Sequence, residues 1–352
     1  MVCPERRRTR VNIEDVSTQS QEEQAGLCLP AQQIARSVVA ASGEHTHTTD
    51  TTHPPMMFRA LQFAVPLAVV AFKAPVARLQ PRSPARSLGT LLDLMGGGDS
   101  ALVAPGDALK GRAQKMPGIE GYRHFVLGTE LDAVPAGHKV AVFANGCFWG
   151  SEKGIWRFPG DGITSTAVGY CAGFTPNPTY EEACSGRTGH TEGVRVVYDP
   201  AKVSFVDILR WFWEAHDPCS GMGQGNDRGT QYRSGFYYFD DDQKALIESS
   251  MKAYEAQLGR PITTEVAAAS DYDQYGGLWF YGEQYHQQYL AKPGSRPYCS
   301  AQPQGVDLAP FESWCPPGLE SYAPKLPEAF WDAHKPRKGC SVVNAPNEPV
   351  VM

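Results

Sequence analysis

The chain has 352 residues, enough for one or two domains with sizeable cores, and its 42% hydrophobic and 11% aromatic content calls for a globular part. A formal net charge of −6 supplies no basic patch or stripe for nucleic acid. The 35 glycines and 28 prolines point to long irregular stretches beside the globular part. Nine cysteines, none in a C-x-x-C pair, lack the spacing of a structural zinc site, and an odd count argues against a secreted disulfide scaffold. Reduced thiols, some of them reactive, fit better.

Residues 1–55 are polar, with tracts such as TQSQEEQ and EHTHTTDTTH, and read as a disordered extension. His45, His47 and His53 belong to that solvated tract rather than to a metal site. Residues 56–116 read as a targeting segment and linker. Arg59 precedes an apolar run from Phe63 to Phe72 that is too short to span a bilayer. Lys73, Arg78, Arg82 and Arg86 follow, in a stretch without an acid between Asp50 and Asp93. This order resembles a two-part plastid presequence with its junction at AFKAP, which implies a plastid location and a start at Met56 or Met57. A plain linker with one apolar patch, in a cytoplasmic protein, stays open as the alternative.

Residues 117–300 read as one domain. KVAVFA alternates like a strand and ends at Asn145 and Gly146; CFWGSEKGIWRF then takes helical spacing, with Phe148, Ile155 and Trp156 on one face. ITSTAVGY and VRVVYD are strand-like. SFVDILRWFWEAH puts Phe205, Ile208, Leu209 and Phe212 on one stripe with Ser204 as N-cap, and its Trp211 and Trp213 pack rather than stack on bases. YRSGFYYF predicts a strand, DDQKALIESSMKAYEAQLG a helix closed by Gly259, TTEVAAA a strand and GEQYHQQYLAK a short helix carrying His286. Strands and helices interleave without a regular βαβ repeat. The expected class is therefore α+β, a two-layer sandwich of a mixed sheet and packed helices. Residues 301–352 form an irregular tail in which only PEAFWDAH predicts a short helix.

Cys147 lies where the first strand gives way to a helix. Unpaired backbone N–H groups and the positive helix end at such a turn lower a thiol pKa, and the thiolate is the nucleophilic form. Gly146 and Gly150 leave the sulfur open to approach, and Phe148 and Trp149 put an apolar wall beside it, suited to a small methyl-bearing group. Taken alone, Cys147 reads more readily as a packing cysteine.

The rest of the domain changes that. GCFWG, NPTY, GHTE, YDP, HDP, QGNDRGTQYRS and YHQQYL occur in the order seen in the peptide methionine sulfoxide reductase A family, which the chain resembles over residues 138–299. The resemblance implies that Cys147 attacks the sulfoxide sulfur and that Phe148 and Trp149 hold the substrate methyl group. It further implies that Glu192, Tyr180 and Tyr232 bond the sulfoxide oxygen and supply a proton, with Asp227 shaping the pocket. A carboxyl can donate near neutral pH only when burial raises its pKa, so Glu192 should be buried. Attack leaves a sulfenic acid on Cys147, which a second thiol resolves. Cys299, after YHQQYL, takes the family's resolving position. Cys340 or Cys315 would relay the disulfide to thioredoxin, with Cys340 preferred; the family's glycine-rich turn with its own cysteine is missing here.

The implied activity is thioredoxin-dependent reduction of methionine S-sulfoxide in oxidised proteins and as the free amino acid, by a monomer that binds no membrane. No bound metal, flavin or nicotinamide is expected, since no G-x-G-x-x-G follows a strand and His190 and His216 lack a third ligand at useful spacing. A Cys–His acyl-transfer hydrolase leaves Tyr180, Tyr232 and the resolving thiol without purpose. A non-catalytic redox sensor predicts a damaged site, whereas every matched residue is present.

Overall fold

The computed structural model describes residues 101–352. The extension 1–55 and most of the 56–116 segment, with its plastid reading, lie outside the described residues. Among the described residues no helix is long and apolar enough to cross a membrane.

The period-2 pattern read in the sequence builds the centre of a six-stranded sheet. Its strands are β1 (Lys139–Asn145), β2 (Ile163–Cys171), β3 (Thr191–Tyr198), β6 (Ser234–Tyr238), β7 (Glu265–Ala268) and β8 (Trp279–Tyr281). They run in the order β7-β6-β1-β3-β2-β8; β6 and β7 are parallel and the other neighbours antiparallel, so the sheet is mixed. Ala141 and Phe143 of β1 point to one face with Val194, Val196 and Phe236, while Val142 and Ala144 point to the other with Cys171 and Tyr237. A small hairpin, β4 (Gly223–Gln224) and β5 (Asp227–Arg228), stands apart from this sheet.

Helices α1 (Phe148–Trp156), α3 (Phe205–Glu214) and α4 (Asp241–Leu258) cover the first face and share its apolar cluster. The short α2 (Tyr180–Cys184) opens on a capping box between Thr179 and Glu182. Ser204 caps α3 by accepting the Val206 N–H, and Gly259, at φ +64°, closes α4. The stretch GEQYHQQYLAK departs from expectation. It is a run of turns with a single 3-10 turn at Tyr289–Ala291, and His286 is not helical. The cause is a competing set of bonds. The Gln287 carboxamide accepts from Val168 N–H at 2.9 Å and donates to Val168 O at 2.8 Å, acting as a substitute strand beside β2, while Gln288 takes the left-handed conformation at φ +48°.

Residues 301–352 pack into the same cluster as the sheet and helices. Leu308, Phe311, Leu326, Phe330, Trp331 and Val342 are buried there, the last helix being α5 (Glu328–His334). Asp207 on α3 accepts from the Lys325 and Leu326 amides, and Arg210 lies 4.3 Å above the Trp331 ring. His334 stacks on Trp211 and donates through Nε2 to Gly154 O at 3.0 Å.

Gly154 explains how α1 and α3 approach so closely: a β-carbon there would lie 1.8 Å from the Trp211 ring. An exposed helical glycine gains about 1 kcal/mol on replacement by alanine. Gly154→Ala should instead lose about 1–3 kcal/mol through overpacking, read as a lower urea midpoint. An unchanged or higher midpoint would contradict this packing.

Candidate active site

The site is assembled around the turn from β1 into α1. Gly146 turns the chain at φ +92°, and Cys147 occupies the N-cap position of α1 with 6% of its surface exposed. Its side chain makes no capping hydrogen bond, but the Trp149 and Gly150 amides of the first helical turn lie near enough to act on its sulfur. They pull the thiol pKa down, as expected at a helix start. Burial outweighs them and, with the nearby Glu192 and Asp227 carboxylates, pushes the thiol well above its ordinary value. The expectation of a depressed Cys147 pKa is corrected accordingly: enclosure by residues distant in sequence exceeds the local effect of two amides.

Glu192 reaches this turn from β3. It is 3% exposed and accepts the Phe148 N–H at 3.1 Å. Burial, reinforced by the charges of Asp227 and Glu283, raises its pKa to about 8 despite that bond. A carboxyl in this setting holds its proton at neutral pH. Thiolate at Cys147 and carboxylate at Glu192 disfavour each other, so the pair behaves as one titrating unit.

Tyr232 ends a 3-10 turn at Thr230–Tyr232, and burial, then the charges of Glu192, Tyr180 and Asp227, keep its hydroxyl protonated far above neutral pH. Tyr180 begins α2. Its N–H donates to Glu283 at 2.8 Å, and its ring centroid lies 4.7 Å from that of His286. Asp227, on β5, accepts from the Tyr298 hydroxyl at 2.5 Å. Phe148 is buried between Tyr170 and His286, and Trp149 stacks on Tyr289 with centroids 3.9 Å apart.

Cys299 and Cys340 form a disulfide, with Cα atoms 6.0 Å apart across 41 residues of sequence, while Cys147 is a thiol. The bond lies against Gly150. A β-carbon there would come within 2.7 Å of the Cys299 sulfur and 3.2 Å of the Cys340 sulfur, so only glycine admits the disulfide one helical turn from Cys147. Of the two tail thiols, Cys340 is the one brought to Cys299. Cys315 lies elsewhere, with its sulfur 3.4 Å from Pro316 O.

Several residues here were not identified from the sequence. His286 accepts the Trp149 indole N–H at Nδ1 and is held neutral by burial, its pKa pushed down to about 3. Tyr289 supplies the stacking surface, and Glu152, fully buried on α1, accepts from Gln288 and Thr166 and so fixes the loop that carries both. Tyr298 precedes Cys299 directly, and its position beside that cysteine was the available signal. His190 and His216 bond to Thr175 O and Phe212 O, and among the described residues no group of three His, Cys, Asp or Glu side chains could hold a metal.

Residues 139–311 match the family model described as peptide methionine sulfoxide reductase. A peptide methionine sulfoxide reductase MsrA of Azorhizobium caulinodans is 50% identical over 224 residues, covering 62% of this chain and 94% of the relative. One of Vibrio cholerae is 49% identical over 217 residues, covering 60% and 97%. Among solved structures, methionine sulfoxide reductase A of Corynebacterium diphtheriae superposes with a TM-score of 0.50 at 40% identity, over 56% of this chain and 93% of that one. With the thiol, the buried carboxyl and the tyrosines gathered at one helix start, the chain belongs to the peptide methionine sulfoxide reductase family.

Proposed function

We propose that this chain reduces the S epimer of methionine sulfoxide, in proteins and as the free amino acid, using Cys147 as nucleophile and thioredoxin as reductant. The observation that carries this reading is Glu192: a buried carboxyl that keeps its proton near neutral pH and sits on the amide next to the nucleophilic thiol. The substrate methyl group lies against Phe148 and Trp149, and the sulfoxide oxygen faces Glu192, Tyr180 and Tyr232. Methyl and oxygen are thereby held on fixed sides, which selects one epimer.

Sulfur of Cys147 attacks the sulfoxide sulfur while Glu192 protonates the oxygen. The S–O bond breaks, methionine leaves, and the oxygen remains on Cys147 as a sulfenic acid. Cys299 attacks that sulfur, releases water and forms a Cys147–Cys299 disulfide. Cys340 then exchanges onto Cys299 and frees Cys147 as a thiol. A disulfide between Cys299 and Cys340 beside a reduced Cys147 is the arrangement this last exchange leaves, ready for two electrons from thioredoxin.

Incubation with dabsyl-methionine sulfoxide and dithiothreitol should yield methionine with the wild type and none with Cys147→Ser; turnover by the serine variant would end the proposal. Glu192→Gln removes the negative charge that raises the Cys147 pKa, so alkylation of Cys147 should rise at lower pH than in the wild type. Superimposable profiles would remove Glu192 from its assigned role.

A further inference from the structure

One charged side chain of α1 serves neither the sulfoxide chemistry nor the surface. Lys153 is 1% exposed, and no carboxylate pairs with it among the described residues' ion pairs. Its ammonium donates to Ala345 O at 2.8 Å and to Asn347 Oδ1 at 2.9 Å, and reaches Val343 O at 3.5 Å. Three acceptors match the three N–H groups of an ammonium. All three come from the tail. The contact continues along the helix: the Trp156 indole donates to Asn347 O at 2.8 Å, and Arg157 O accepts the Val350 N–H at 3.0 Å. One turn before Lys153, Gly150 lies beneath the two disulfide sulfurs. Positions 150, 153 and 157 follow helical spacing and form a single stripe along which the tail runs.

Two consecutive turns tie the anchored residues to the sulfur. Val343 N–H donates to Cys340 O and Ala345 N–H to Val342 O, each at 3.2 Å. Only four residues separate Cys340 from Ala345, so fixing the second fixes the first. Burying an ammonium without a paired carboxylate is costly and persists only where hydrogen bonds offset it; here burial already draws the Lys153 pKa down to about 8.

We infer that Lys153 is a positioning residue for disulfide relay: by docking residues 343–347 on α1 it holds the Cys340 sulfur against Cys299. The inference rests on the reading that Cys147, Cys299 and Cys340 act in sequence. In the step concerned, the Cys340 thiolate attacks the Cys299 sulfur of the Cys147–Cys299 disulfide. The Cys299–Cys340 bond forms, the Cys147–Cys299 bond breaks, and the electron pair leaves on Cys147, which takes the proton that Cys340 gave up. No electrons are gained or lost overall, so the rate depends on how often Cys340 is in place.

The test compares the full-length wild type with Lys153→Met and with Asn347→Leu, which removes one acceptor without altering α1. Each is reduced, given one equivalent of methionine sulfoxide without reductant, quenched and mapped for disulfides. Methionine formed in this first turnover should stay within about twofold of the wild type, whereas the Cys299–Cys340 share should fall about tenfold at early times as Cys147–Cys299 accumulates. Turnover with thioredoxin should fall with it, and turnover with dithiothreitol should not. Should Lys153→Met fail to fold, Asn347→Leu decides. Unchanged disulfide distributions in the folded variants overturn the inference, as does loss of first-turnover methionine, which would place Lys153 in the chemistry at Cys147. Repeating the mapping with hydrogen peroxide as the oxidant of Cys147 reads the exchange alone. A wild type that makes no methionine yet exchanges normally after peroxide would therefore refute the proposed activity and leave the relay inference standing.

Discussion

The bond from the Phe148 amide to the Glu192 carboxyl joins the start of α1 to the middle of the sheet, and the candidate site is built around it. Glu192 stands opposite Tyr170 in the β2–β3 ladder, so its backbone is fixed by two strands before its side chain meets the turn. In that enclosure one negative charge is tolerable and two are not. In the proposed reaction, charge moves toward the sulfoxide oxygen as Cys147 attacks, and the proton on Glu192 is the one available to meet it. The carboxyl and thiol thus titrate as a pair.

Helix α1 is short and is enclosed on every side. Phe148 engages β3, Trp149 engages His286, Glu152 engages the Gln288 loop, Gly154 admits Trp211, and Trp156 reaches the tail. Such a helix has no solvent stripe, and its sequence, FWGSEKGIW, shows little amphipathic contrast. Its two glycines weaken it in isolation, so tertiary contacts must hold it. The precision of the thiol's placement comes from those contacts.

This also explains what could be read from the sequence. The central strands were legible because one-sided burial imposes a period of two, and the caps at Ser204 and Gly259 because they satisfy neighbours a few residues away. Cys147, Glu192, Tyr180 and Tyr232, which the fold gathers at one site, were legible as an ordered set of short motifs. The turns at 282–291 were not, because a side-chain amide of Gln287 replaces a strand's backbone. Tyr298 lies 71 residues from Asp227 in sequence, and no local pattern foretells that bond. The direction of the Cys147 shift was missed for the same reason: burial is a sum over distant residues, whereas the helix end is visible locally. The tail's apolar residues, Leu308, Phe311 and Leu326 among them, follow no period and so gave no sign of joining the core.

That membership of the core has a consequence for biosynthesis. Phe330, Trp331 and Val342 complete the packing around α1 and α3, and Val350 bonds to Arg157, yet all four are translated long after the helices they stabilise. A nascent chain would emerge with the residues of α1 already synthesised but one side of their packing still missing. Until the last residues clear the ribosome, that apolar surface is a natural client for holding chaperones, and premature termination in the final segment would strip the core as well as a thiol.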